Sequence, residues 1–89
     1  MTDTPFATAL AAEHYTDIET RTLPPRPANV EHGHAFAVKG MVLEGVFTVI
    51  ANEQATAFRQ GEIFAVPANV LHQEEVGPDG AVICIGRKG

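Results

Sequence analysis

Short runs of alternating apolar and polar residues, separated by turn-forming residues, extend over most of the chain. In the first run, Ile18 and Thr20 share one face while Asp17 and Glu19 share the other, which is the period of a half-buried strand. The later runs are rich in β-branched and aromatic residues, which favour strands. The predicted strands cover residues 15–23, 41–50, 55–58, 63–66 and 81–85, and another begins at His72. Strands at this spacing indicate a small sandwich or barrel.

Glycine, proline and asparagine mark the places where these strands bend or end. Gly45 interrupts the longest run and predicts a bulge or a tight turn. Asn69 lies between two strands and can adopt the left-handed backbone conformation that glycine usually supplies. Residues 77–80, Gly-Pro-Asp-Gly, predict another turn. The prolines of residues 24–27 predict a rigid crossing loop or a sheet edge, because proline cannot donate to a ladder of hydrogen bonds.

One short helix is predicted near the start of the chain. Thr4 can cap it, Pro5 suits the first helical position, and Phe6 and Leu10 then fall on one face. So short a helix is unstable alone in water, and we expect it to pack on the main body or on a second subunit. The predicted organisation is one domain over residues 1–89, with an N-terminal helical arm at 1–14 and a β-barrel at 15–86.

Composition and charge limit the size and the partners of the protein. Eighty-nine residues build one modest core, which oligomerisation or a bound metal would support, and exposed edge strands predict a homodimer. A net charge of −5 argues against nucleic acid, and no apolar run is long enough to span a membrane. The single cysteine, Cys84, excludes an intrachain disulfide. The N-terminus lacks the basic start and the long apolar run that are typical of a signal peptide. We therefore expect a soluble, cytoplasmic protein.

Three histidines carry the candidate chemistry. His32 and His34 are two residues apart, so on an extended strand their imidazoles point to the same face. His72 follows a turn and can complete a group of three. Neutral imidazole is the commonest protein ligand for first-row metals, and three such ligands leave coordination positions open. The alternative is a barrel that uses its histidines for packing and hydrogen bonding and binds no metal.

Two motifs around these histidines resemble those of the cupin superfamily. The motifs are His32-x-His34 followed by Leu43-Glu44-Gly45, and Gly61-Glu62-(x4)-Pro67-(x4)-His72. The resemblance covers residues 30–73 and implies a small single-domain cupin, an all-β double-stranded β-helix or jelly-roll barrel with a short N-terminal helix. It further implies that His32, His34 and His72 occupy three of the family's usual metal-ligand positions. Iron, zinc, manganese, nickel and copper all remain open as the divalent ion.

The position of the family's fourth ligand holds an apolar residue. Cupins commonly carry a glutamate six residues after the first histidine, and this sequence has Val38 there. Val38 has the parity of His32 and His34, so we expect it to project an apolar group into the cavity. Three neutral ligands would leave the ion its full double charge, which favours an anionic substrate or the formation of hydroxide from bound water.

Other side chains are expected to serve or line the cavity. Glu74 lies two residues after His72, so on a regular strand it would face the same space as a catalytic acid or base, or as a hydrogen-bond partner of a ligand. The candidates for an apolar lining are Phe36, Met41, Phe47, Phe64 and Val66.

Three functions follow from these observations. The first is a metal-dependent cupin enzyme, such as an oxygenase or isomerase, that acts on a small organic molecule. The second is a non-catalytic module that senses a metal or a small-molecule ligand, which the short chain and the missing carboxylate support. The third is a metal-free structural dimer.

Overall fold

An antiparallel sheet makes up most of the fold. The computed structural model describes residues 4–89 of the chain. Its elements are α1 (Thr4–Ala12), β1 (Thr16–Leu23), β2 (Ala37–Ala51), β3 (Gln54–Phe58), β4 (Ile63–Val66) and β5 (Gln73–Lys88). β5 and β2 are the central pair, β1 lies beside β5, and β3 and β4 pair with successive parts of the other edge of β2. The predicted all-β fold with one short helix is confirmed; residues 1–3 of the predicted arm lie outside the described residues.

The interior of the fold is an apolar cluster to which every strand contributes. β2 supplies Val42 and Phe47, β4 supplies Phe64, and the remaining buried members are Val76, Ala81, Ile83 and Ile85 of β5. Partly buried residues of β1 and β3, Leu23 and Phe58, pack against the same cluster. Burial of this surface is the main stabilising term for the sheet, since apolar area removed from water contributes roughly 25 cal/mol per Å².

α1 covers the outer face of the sheet, as predicted. Its buried residues Phe6 and Leu10 pack with Cys84 of β5. Met41 of β2 packs against this outer cluster, so its predicted place in the cavity lining is wrong. β2 is apolar on both faces, and a period of two cannot tell which face is inside when a helix covers the other. No helix within residues 4–89 is long and apolar enough to cross a membrane.

The predicted turn at residues 77–80 does not reverse the chain. Val76 pairs with Phe47 and Ala81 pairs with Gly45, so the four residues between them lie opposite Val46 alone. β5 therefore runs through this segment as one strand with a wide bulge. Pairing with the continuous strand β2 on both sides overrides the local turn preference.

The segment between β1 and β2 runs along the first part of β5. Backbone hydrogen bonds join three pairs: Arg26 with Val76, Asn29 with Glu74, and His32 with His72. Of the two alternatives predicted for the prolines, a crossing loop or a sheet edge, the structure shows an edge beside β5. The prediction of an extended strand that carries both His32 and His34 is wrong, because only one isolated bridge forms there, between His32 and His72, and β2 begins at Ala37. Prolines at positions 24, 25 and 27 cannot donate to a continuous ladder.

Candidate metal centre

His32, His34 and His72 lie together beside the start of β5. Their ring centroids are 5.2 Å apart for His32 and His34, 4.4 Å for His32 and His72, and 5.7 Å for His34 and His72. One ring nitrogen from each histidine lies within 4.8 Å of those of the other two. The fold thus brings together residues that are 38 positions apart in the chain, from 34 to 72.

Backbone hydrogen bonds fix the relative positions of these histidines. His32 and His72 form a reciprocal pair, in which each amide donates to the other's carbonyl oxygen at 2.9 and 2.8 Å. The amide of Asn69 donates to the carbonyl oxygen of His34 at 2.6 Å. Asn69 has φ of 64°, which confirms the predicted left-handed conformation. The turn before His72 is therefore tied directly to the His32–His34 segment.

Two of the imidazoles are held in one orientation by carbonyl oxygens. Nδ1 of His32 lies 2.8 Å from the carbonyl oxygen of Val30, and Nδ1 of His72 lies 3.1 Å from that of Val70. A carbonyl oxygen can only accept, so Nδ1 donates in both rings. In the neutral ring Nε2 then carries the lone pair and is available to bind a cation.

His34 is held by an aromatic stack rather than by a carbonyl. Its ring lies 4.7 Å from that of Phe36 at an interplanar angle of 10°, and the guanidinium carbon of Arg87 lies 4.8 Å from the centre of the Phe36 ring. Burial, together with the neighbouring His32 and His72, lowers the pKa of His34, although Glu74 opposes the shift. A lowered pKa keeps the imidazole neutral, which is the form that binds metals.

Glu74 reaches the histidine cluster from β5. Its Oε2 lies 3.3 Å from Nε2 of His72, and its Oε1 lies 3.6 Å from Nη2 of Arg26. Glu74 and Val76 follow His72 at intervals of two residues, both on β5, and Val76 belongs to the interior core. The carboxylate is therefore on the side of the strand that the spacing predicted. Its role in catalysis remains a prediction.

Comparison with solved structures identifies the fold. A cupin-2 domain-containing protein from Shewanella frigidimarina aligns with a TM-score of 0.68 and 21% identity, over 83% of this chain and 72% of that one. An RmlC-like cupin from the same organism aligns with a TM-score of 0.69 and 21% identity, over 80% and 63%. The cupin domain of Cnp3 from Schizosaccharomyces pombe gives 0.70 and 12%, over 80% and 50%. The chain has the cupin fold.

The likeness to these cupins is one of architecture. No family model matches this chain, and no curated protein matches it in sequence. The predicted double-stranded β-helix is confirmed by the strand pairing and by these neighbours together. The chain spans 63% of the length of the second of these proteins and 50% of the third.

Val38 lies in the interior of the fold, as its parity predicted. It pairs with Val66 of β4 and Arg87 of β5, and its side chain packs against the apolar core. The position that holds a glutamate in many cupins therefore contributes no oxygen to the histidine cluster. Phe47, Phe64 and Val66 are also buried, while Phe36 lies against His34.

The donor set of the cluster fits a divalent transition metal. Ligands at about 2.0–2.2 Å from an ion lie about 2.8–3.6 Å apart for octahedral or tetrahedral angles. The three nitrogens are within 4.8 Å of one another, so closing on an ion requires a modest contraction. His72 is almost fully buried, whereas His32 and His34 are partly exposed and have room to rotate.

Three residues of the site were not predicted from the sequence. Arg26 and Asn29 lie in the proline-containing segment between β1 and β2. Their polar side chains in that segment were the only feature of the sequence that could have indicated a role at the site. Arg87 lies 53 positions after His34 in the sequence, and only the antiparallel register of β5 with β2 brings it over Phe36. No local pattern identifies such a residue.

Proposed function

We propose that this cupin-fold protein binds one divalent transition-metal ion through His32, His34 and His72, and uses the remaining coordination positions to bind or transform a small organic molecule. The observation that supports this is the convergence of one ring nitrogen from each histidine within 4.8 Å, with Nδ1 of His32 and His72 hydrogen-bonded to carbonyl oxygens. When bound, such an ion polarises a ligand oxygen or lowers the pKa of a bound water.

The side chains around the cluster favour a small, partly apolar anion as the ligand. Arg87 contributes a positive charge over the Phe36 ring beside His34. Nε of Arg26 is buried and has no acceptor among the described residues. An anionic ligand would supply one, because a buried donor without a partner costs roughly 1–3 kcal/mol.

An enzyme and a non-catalytic module would both bind this ion, and the role of Glu74 distinguishes the two functions. Its carboxylate beside His72 supports an enzyme, since it can hold or accept a proton at the site. The ion pair between Glu74 and Arg26 favours the module, because Arg26 occupies the carboxylate that an enzyme would use as acid or base. Oxygen-consumption and product assays on the metal-loaded protein with a panel of small organic anions separate them: turnover identifies the enzyme, and saturable binding without products identifies the module.

Elemental analysis tests the metal site itself. Untagged protein is expected to carry about one equivalent of a transition metal, directly or after reconstitution, as one three-histidine site implies. His32→Ala and His72→Ala are each expected to lose it. His14→Ala is the matched control, because His14 is exposed and lies outside the cluster.

Folding of each variant is checked by circular dichroism before the metal is counted. Wild-type protein that stays metal-free after incubation with each of the five candidate ions would overturn the proposal. The histidines would then serve packing, and the structural dimer would become the better description.

A further inference from the structure

Nε2 of His72 and Oε2 of Glu74 lie close together at the histidine cluster. Nδ1 of His72 donates to the carbonyl oxygen of Val70, so Nε2 is the ring nitrogen left to bind a cation. Oε2 of Glu74 lies 3.3 Å from this nitrogen. His72 is almost entirely buried, where screening by water is weak, so a cation bound between the two atoms interacts strongly with both.

The spacing of the two atoms matches ligands of one ion. Two ligands at about 2.0–2.2 Å from a metal are about 2.8–3.1 Å apart at a right angle and about 3.3–3.6 Å apart at the tetrahedral angle. The observed separation of 3.3 Å between Nε2 and Oε2 falls within this span.

Glu74 is held in place by contacts on both its backbone and its side chain. Its amide donates to Oδ1 of Asn29 at 2.8 Å, and its carbonyl oxygen accepts from the amide of Asn29 at 3.1 Å. Arg26 approaches Oε1 at 3.6 Å, which leaves Oε2 directed at His72. The carboxylate is therefore oriented before any ion binds, as ligands of metal sites usually are.

From this geometry we infer that Glu74 is a fourth protein ligand of the ion, bound through Oε2, and that Arg26 is the residue that orients it. The inference rests on the proposed function, because it concerns the ion held by His32, His34 and His72. The carboxylate that Val38 does not provide would come from β5 instead. It lowers the net charge of the loaded site from +2 to +1 and adds an oxygen ligand, which suits manganese and iron better than copper.

Binding of Co²⁺ to the metal-free protein tests the inference. Glu74→Ala is expected to weaken Co²⁺ affinity by more than about 100-fold, beyond the 10–100-fold typical of residues that only orient a ligand. Glu74→Gln, which keeps the shape, is expected to change the visible absorption bands of bound Co²⁺. Glu75→Gln is the matched control, because Glu75 is adjacent on β5 and points to the opposite face.

Infrared difference spectra supply a readout that a purely structural role would not move. Wild-type protein is expected to show a shift of a carboxylate stretch when Co²⁺ binds, absent in Glu74→Gln and retained in Glu75→Gln. Wild-type affinity, absorption bands and carboxylate shift in the Glu74 variants would overturn the inference while leaving the three-histidine site intact. Weaker affinity with unchanged bands and an unchanged shift would also overturn it, by making Glu74 a positioning residue. Wild-type protein that binds neither Co²⁺ nor any of the five candidate ions would refute both the inference and the proposed function.

Discussion

Gly45 shows how one residue lets the central strands bend. Its φ is 80°, in the left-handed region that side chains rarely adopt, and it stands where β2 and β5 shift register. A Cβ at this position would collide with the carbonyl oxygen of Gly80. Gly61 also has a left-handed φ, of 86°, but a Cβ there would meet no atom within 4 Å. A comparison of substitutions at the two glycines therefore separates the cost of backbone strain from the cost of steric collision.

Gly45→Ala is expected to destabilise the fold by about 2–5 kcal/mol, because it combines left-handed strain with overpacking. Gly61→Ala is expected to cost only the strain, about 1–2 kcal/mol. Denaturant unfolding followed by circular dichroism measures both. Equal losses in the two variants would contradict the collision at Gly45 and leave only backbone conformation as the cause.

α1 is an element whose stability depends on the sheet beneath it. Nine residues are too few for a stable helix in water, so the burial of Phe6 and Leu10 against the outer face must hold it. The same contact shields Cys84, which is 1% exposed. Helix docking and thiol accessibility are therefore coupled, and the single cysteine reports on the helix.

Leu10→Ala is expected to lower the free energy of unfolding by about 2–5 kcal/mol, because it leaves a cavity at a fully buried position. It should also accelerate the reaction of Cys84 with a thiol reagent under native conditions. Thr8→Ala, on the exposed side of α1, is the control and is expected to change stability by less than about 0.7 kcal/mol. Identical thiol reactivity in both variants and the wild type would show that α1 does not shield Cys84.

At the level of the whole molecule, the sheet has two edges that pair with no further strand among residues 4–89. β1 and β3 end the strand order, and residues 54–57 of β3 are exposed. Unpaired backbone groups on an edge can pair with a second copy, and a chain of this size gains stability from doing so. These features favour self-association.

We therefore predict a homodimer in solution. Sedimentation equilibrium at micromolar concentrations is expected to give twice the chain mass of 9.5 kDa. Metal-free and metal-loaded protein are measured in parallel, so that a dimer made by the ion bridging two chains is recognised. A single monomeric species across the whole concentration range would refute the prediction.

Much of the fold follows from local sequence pattern. The bounds of β4, the start of α1 and the left-handed Asn69 each depend on residues within a few positions, and local chemistry predicts them. The resemblance of the two histidine motifs to those of cupins implied that His32, His34 and His72 would meet. Sequence alone was thus sufficient for the fold class and for the candidate ligands.

Tertiary structure decided what depends on distant partners. The Gly-Pro-Asp-Gly segment at 77–80 became a bulge because β2 pairs with β5 on both sides of it. Met41 lies on the outer face of the sheet, under α1. The sequence did not predict this, because β2 is apolar on both faces. Arg26 reaches the site through an isolated bridge to Val76, and Arg87 through the register of β5 with β2. Both depend on long-range contacts that no short stretch contains. Local sequence pattern therefore determined the strands, the turns and the candidate ligands. Pairing across the sheet determined which side chains lie together.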